Sequence, residues 1–127
     1  MSFAIRFLLL FAPLASLLGA PVQASDYELG ISLVCDTQAQ VEHFVAAFDG
    51  DAQAAIRDVN ATEENPTACV IRNVAYMRGF QVGMARNGDS AFEIVRILVV
   101  GIKTERGILP VRPSVHFSLF GVKEYAV

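Results

Sequence analysis

Cys35 and Cys69 are the only cysteines in a chain of 127 residues, and they lie downstream of an apolar leader. An even cysteine count behind an export signal is the pattern of a disulfide in an oxidising compartment. A bond between them closes a loop of about 35 residues and stabilises the chain by roughly 3 to 4 kcal/mol on the chain-entropy model. The spacing is far from C-x-x-C, and no third cysteine or nearby histidine completes a zinc set. A redox dithiol and a structural zinc site are therefore poorly supported.

The leader is legible residue by residue. Met1 to Arg6 is short and carries one cation, and Phe7 to Leu18 is almost continuously apolar. These are the n-region and h-region of a signal peptide. Gly19 and Pro21 break the run, and Val22, Gln23 and Ala24 supply the residues a signal peptidase reads. Cleavage is expected after Ala24, leaving Ser25 first; a cut after Ala20 would put Pro21 first, which peptidases disfavour. An h-region of about 12 residues reaches only about 18 Å as a helix, short of a hydrocarbon core of roughly 30 Å. The division is thus a signal peptide over 1–24 and one exported domain over 25–127. No membrane span is expected after cleavage.

Removing residues 1–24 leaves 127 − 24 = 103 residues and takes away only Arg6 among the charges, so the formal charge moves from −3 to −4. An acidic chain in which no two Lys or Arg are adjacent lacks the basic footprint of a nucleic-acid binder. A domain of this length buries a small core, which gives one covalent link unusual weight.

Leu29 to Cys35 ends in β-branched and apolar residues and reads as a strand. Thr37 and Gln40 have capping-box spacing, and Val41, Phe44, Val45 and Phe48 fall on one helical face, predicting a helix over Thr37 to Phe48. Asp49-Gly50-Asp51 interrupts it, and Asp51 can cap a second helix with Ala52, Ala55, Ile56 and Val59 as its apolar stripe. The same triplet lacks the spaced oxygen ligands of a calcium loop. Asn60 to Thr67 reads as a polar linker, and Asn60-Ala61-Thr62 matches a glycosylation sequon.

From Ala68 the period becomes that of strands. Cys69 to Met77 is β-branched and aromatic, with Gly79 and Gly83 as bulges or bends, and Asn87-Gly88 is the strongest hairpin signal. Ala91 to Ile102 is apolar on both faces, as in a central strand. Glu105-Arg106-Gly107 reads as a turn, Pro110 and Pro113 as an edge or bend, and Val115 to Val122 as a last strand. The expected class is α+β: one strand, two short helices, then an antiparallel meander of at least three strands, curled by its glycine bends into a small, partly open barrel.

Catalytic and metal motifs are sparse. His43 lies about 160° from the centre of its helix's apolar face, the place of a solvated side chain. His116 shares a strand face with Ser118 but has no nucleophile elbow beside it. No H-x-x-x-H, H-E-x-x-H or phosphate-loop pattern occurs, so neither a metal nor a cofactor is expected. Arg72, Arg78, Arg86 and Arg96 fall in the strand region, and Arg72 and Arg78 share parity with Tyr76 and Phe80. Arg72, Tyr76, Arg78 and Phe80 form the candidate binding face, suited to a carboxylate, a glycan or a protein. The plainer reading has the arginines solvating the sheet and pairing with Glu93 or Asp89.

Leu33-Val34-Cys35-Asp36-Thr37, Val41-Glu42, Asp49-Gly50-Asp51, Val59-Asn60, Pro66-Thr67-Ala68-Cys69 and Ile94-Val95-Arg96-Ile97-Leu98-Val99-Val100 together give the chain a family likeness. It resembles small exported proteins of unknown function in Gram-negative proteobacteria, especially soil and plant-associated ones. The resemblance implies a bacterial, periplasmic or secreted setting and carries no activity. The leading expectation is a disulfide-stapled domain that binds a protein or a small ligand. The alternatives are a small periplasmic enzyme with His116, Ser118 or Asp36 in a cleft, and a structural or envelope-stress protein without a discrete site.

Overall fold

The structure is a computed structural model that describes residues 26–122, so the cleavage point at Ala24 and Ser25 lies outside the described residues. Its elements run β1 (Glu28–Cys35), α1 (Gln38–Ala47), α2 (Ala52–Glu63), β2 (Cys69–Asn87), β3 (Ser90–Thr104) and β4 (Gly107–Gly121). Four antiparallel strands and two helices make it an α+β fold. Among the described residues no helix is long and apolar enough to cross a membrane.

The sheet is closed rather than partly open, in the order β1-β2-β3-β4. β1 lies along β2 from Glu28↔Tyr76 to Cys35↔Cys69, and the seam to β4 is at Cys35↔Phe117. Curvature comes from register shifts at Ala75/Tyr76, Arg78/Gln81 and Gln81/Gly83 against β3, and at Val99/Gly101 against β4. An extra residue on one side of a ladder bends and twists it. At Gly79 a Cβ would sit 2.7 Å from the carbonyl oxygen of Arg96, so only glycine allows that approach. Gly79 and Gly83 thus sit at bulges, one of the two readings the sequence allows, and β2 runs past Met77 through both to Asn87.

Pro110 and Pro113 likewise lie inside β4, not at a bend before it. β1 meets β4 at Phe117, so the proline-bearing half of β4 is paired on one side, where a missing N–H is tolerated. The β2–β3 turn is centred on Gly88 and Asp89, one residue later than Asn87-Gly88 suggests, with Gly88 at φ 60°. Asn87 is instead the last residue of β2, and its Nδ2 donates to the carbonyls of Val45 and Phe48 at the end of α1. A side chain from the hairpin thus joins the Phe48 N–H at the Val45 carbonyl and reaches the Phe48 carbonyl at the helix end.

Strand alternation sorts the apolar side chains into two cores. Leu33, Cys35, Cys69 and Ile94 pack with Val41, Phe44, Val45, Ala55, Ile56 and Val59 of the helices. Val34, Val74, Tyr76, Val95, Ile97 and Val99 form the core inside the curled sheet. Phe92 and Phe117 pack against the first core and Phe120 against the second. The Cys35–Cys69 disulfide is formed, both residues are fully buried, and it joins the end of β1 to the start of β2 beneath the helices.

Local capping follows the sequence closely. Thr37 Oγ1 accepts from Gln40 N, while Gln40 Oε1 accepts from the backbone of Asp36 and Thr37, a complete capping box. Asp51 Oδ1 accepts from Ala54 N and caps α2. Asn60 lies in α2, which runs to Glu63, and not in the linker the sequence suggests. Its Oδ1 accepts from Cys69 N at 2.8 Å, and its Nδ2 donates to the carbonyls of Cys69 at 3.1 Å and Pro66 at 2.9 Å. The amide of the sequon is therefore committed to holding α2 against the first residue of β2. Replacing Asn60 by Ala removes all three bonds and should destabilise the domain by about 2 to 3 kcal/mol, measured by urea unfolding.

Candidate functional site

The concave side of the sheet opens as a cleft of about 470 Å³. Its floor is aliphatic: Val34 from β1, Val70 and Val74 from β2, Val99 and Ile102 from β3, and Val111 from β4. Those side chains face inward because strand parity gives the opposite residues to the helices. Its polar wall consists of Asp36, Arg72, Arg112, Ser114 and His116, with Thr67 beside them. An apolar pocket with a few converging polar groups is the usual form of a small-ligand site.

Arg72 and Arg112 have no ion-pair partner among the described residues. Arg78 contrasts with them. Its Nε and Nη2 donate to the Glu28 carboxylate at 3.0 and 2.8 Å, and its guanidinium lies 3.8 Å from the centroid of the Phe120 ring. The hydrogen bonds to Glu28 hold the Arg78 pKa above the ordinary arginine value, with burial opposing them. Its partner is therefore Glu28, not Glu93 or Asp89.

The four residues proposed as one binding face do not share one hollow. Arg72 lines the valine cleft and Tyr76 is buried in the inner core, whereas Arg78, tied to Glu28, and Phe80, 81% exposed, line a separate depression. His43 is not simply solvated, since its Nε2 lies 2.8 Å from Asp58 Oδ2 and links α1 to α2.

His116 is placed in the cleft wall. Its Nε2 is 2.8 Å from Ser114 Oγ, and its Nδ1 is 3.5 Å from Asp36 Oδ1. Nδ1 is buried and has no hydrogen-bond partner among the described residues. Three features of the fold bring these residues together. Ser114 and His116 are two apart on β4 and so share a face. The Cys35↔Phe117 seam carries Asp36 to the strand next to His116. The Asp36 backbone N–H donates to Ala68 O at 3.0 Å and Gln40 Oε1 at 2.9 Å, fixing the turn that holds the carboxylate. Ser118 is fully buried, its Oγ has no partner among the described residues, and it does not line the cleft.

Ser114 and Arg112 escape the sequence reading because Pro113 looks like the end of extended structure. Once β4 runs through that proline, parity alone places Ser114, His116 and Ser118 on one face. No group of three or more His, Cys, Asp or Glu suited to a metal occurs among the described residues. No family model, curated protein or solved structure matches the chain.

Proposed function

We propose that this is an exported bacterial domain that binds a small apolar ligand carrying an anionic head group. The observation that carries the reading is the pairing of an aliphatic floor with two arginines, Arg72 and Arg112, that no carboxylate among the described residues engages. A valine floor takes the ligand body by burial of apolar surface, and a guanidinium presents a planar fork of donors that fits a carboxylate. The apolar leader and the buried disulfide support the exported setting, since such bonds persist in oxidising compartments. The reading keeps a small-molecule partner and calls for no cofactor.

Octanoate is a suitable probe, with octanol as its uncharged counterpart. Titration followed by methyl NMR should move the Val34, Val70, Val99 and Val111 resonances. Octanol should bind at least about 10-fold more weakly, because a hydrogen bond to a charged group contributes roughly 1.5 to 3 kcal/mol. Replacing Arg72 and Arg112 together by Ala should erase the difference between the two ligands. Equal affinity of the unmodified protein for octanoate and octanol, or no movement of those methyls, would overturn the proposal.

A further inference from the structure

We infer that Ser114 is an activated nucleophile and that the cleft hydrolyses carboxylic esters with an apolar acyl chain. The inference rests on the ligand-binding reading of the same cleft and adds a reaction to it. Its basis is the arrangement Ser114 Oγ, His116 Nε2, His116 Nδ1, Asp36 Oδ1, with separations of 2.8 Å and 3.5 Å across the imidazole. These are the atoms that a serine, histidine and aspartate relay uses, and such relays are recognised by geometry on unrelated folds.

The protonation pattern follows from the neighbours. His116 Nδ1 is buried, makes no hydrogen bond among the described residues, and lies 3.5 Å from Asp36 Oδ1. A hydrogen on Nδ1 is therefore favoured, which leaves the Nε2 lone pair to accept the Ser114 hydroxyl hydrogen. At 3.5 Å the second contact is an ion-pair distance and not a hydrogen bond; catalytic hydrogen bonds often tighten only once substrate is bound. Ser114 itself is exposed at the cleft wall, within reach of an incoming ester, whereas Ser118 is sealed off.

The reaction balances with water as the second reactant. Ser114 Oγ bonds to the ester carbonyl carbon as His116 Nε2 takes the hydroxyl proton. The carbon–oxygen bond to the alcohol then breaks, and the same proton passes from His116 to the departing alkoxide. Water next attacks the acyl-serine, His116 takes a proton from that water, and the proton returns to Ser114 Oγ as the acid is released. No atom changes oxidation state, so the step calls for no oxidant or reductant. Arg72 and Arg112 supply positive charge to the same cleft, where negative charge develops on the carbonyl oxygen. The product, an apolar acid, is the kind of ligand the cleft is proposed to hold. Asp36 acts through His116 and is a positioning residue.

The test uses the mature chain with its disulfide intact. An alkyl fluorophosphonate should add once per molecule, and peptide mapping should place the adduct on Ser114. Hydrolysis of 4-nitrophenyl octanoate should fall at least about 100-fold in Ser114→Ala and in His116→Ala. Asp36→Asn should lower kcat about 10-fold or more with little change in KM, and Asp36→Glu should restore part of it. Ser114→Ala should still bind octanoate, which shows that the cleft is folded. Absence of the Ser114 adduct, or hydrolysis by Ser114→Ala equal to that of the unmodified protein, overturns the inference while octanoate binding stands. Loss of octanoate binding in the unmodified protein would remove both readings together.

Discussion

Reducing the Cys35–Cys69 disulfide should lower the unfolding free energy by roughly 3 to 4 kcal/mol, the chain-entropy value for a loop of this length. Domains of this size have about 5 to 15 kcal/mol in total, so the loss is a large fraction of the whole. Both residues are fully buried against the helices, and the bond links two residues already paired in the ladder. Reduction therefore keeps the native atoms in place and mainly releases the unfolded chain. A fall in Tm of about 15 °C corresponds to that loss for a domain near this length. The check is urea unfolding of the oxidised and reduced protein, with Cys35→Ala/Cys69→Ala as a second form that cannot reoxidise. A loss below about 1 kcal/mol would show that the Asn60 bonds to Cys69 and the Cys35↔Phe117 seam hold this corner without the bond.

The same corner explains why some of the fold is legible in the sequence and some is not. Helix starts are local events. Thr37 and Gln40, or Asp51, need only residues within one turn to satisfy the free N–H groups, so spacing alone finds them. Strand ends depend on partners. Gly79 and Gly83 look like interruptions because the sequence does not show that β3 resumes pairing beyond each bulge. Pro110 and Pro113 leave open whether they mark an edge or a bend, because the sequence does not show that β1 is too short to pair with that half of β4 and leaves it an edge. Asn87 is drawn out of the turn by carbonyls at the end of a helix 39 and 42 residues away.

The candidate site shows the same division. Arg72 and His116 are visible as residue types in strands, and parity groups each with neighbours on its own strand. What joins them is closure of the sheet, which brings Arg72 of β2, Arg112 to His116 of β4 and Asp36 of the first turn around one floor. Closure is set by register shifts in β2 and β3, and those leave no mark beyond scattered glycines. The cysteines come closest to announcing the site, because the residue after Cys35 is the carboxylate beside His116 and the bond fixes where that residue lies.

Ile94→Ala and Ile97→Ala should each cost about 2 to 5 kcal/mol, as large-to-small changes in packed cores do. The two side chains are 0% and 1% exposed on the same central strand, yet they belong to different cores. Ile94 packs with Val41, Phe44 and Ile56 on the helical side, away from the cleft. Ile97 packs with Val34, Val74 and Val99, whose side chains also line the cleft floor. Equal losses of stability should therefore carry unequal effects on binding. Ile97→Ala should shift the floor valine methyls before any ligand is added and weaken octanoate by several-fold. Ile94→Ala should leave those methyls and the octanoate affinity near their original values under conditions where the protein stays folded. Urea unfolding gives the first comparison and the methyl titration the second. If Ile94→Ala disturbed the valine methyls as strongly as Ile97→Ala, the two cores would form one cooperative unit, and the floor would depend on the helices as much as on the sheet.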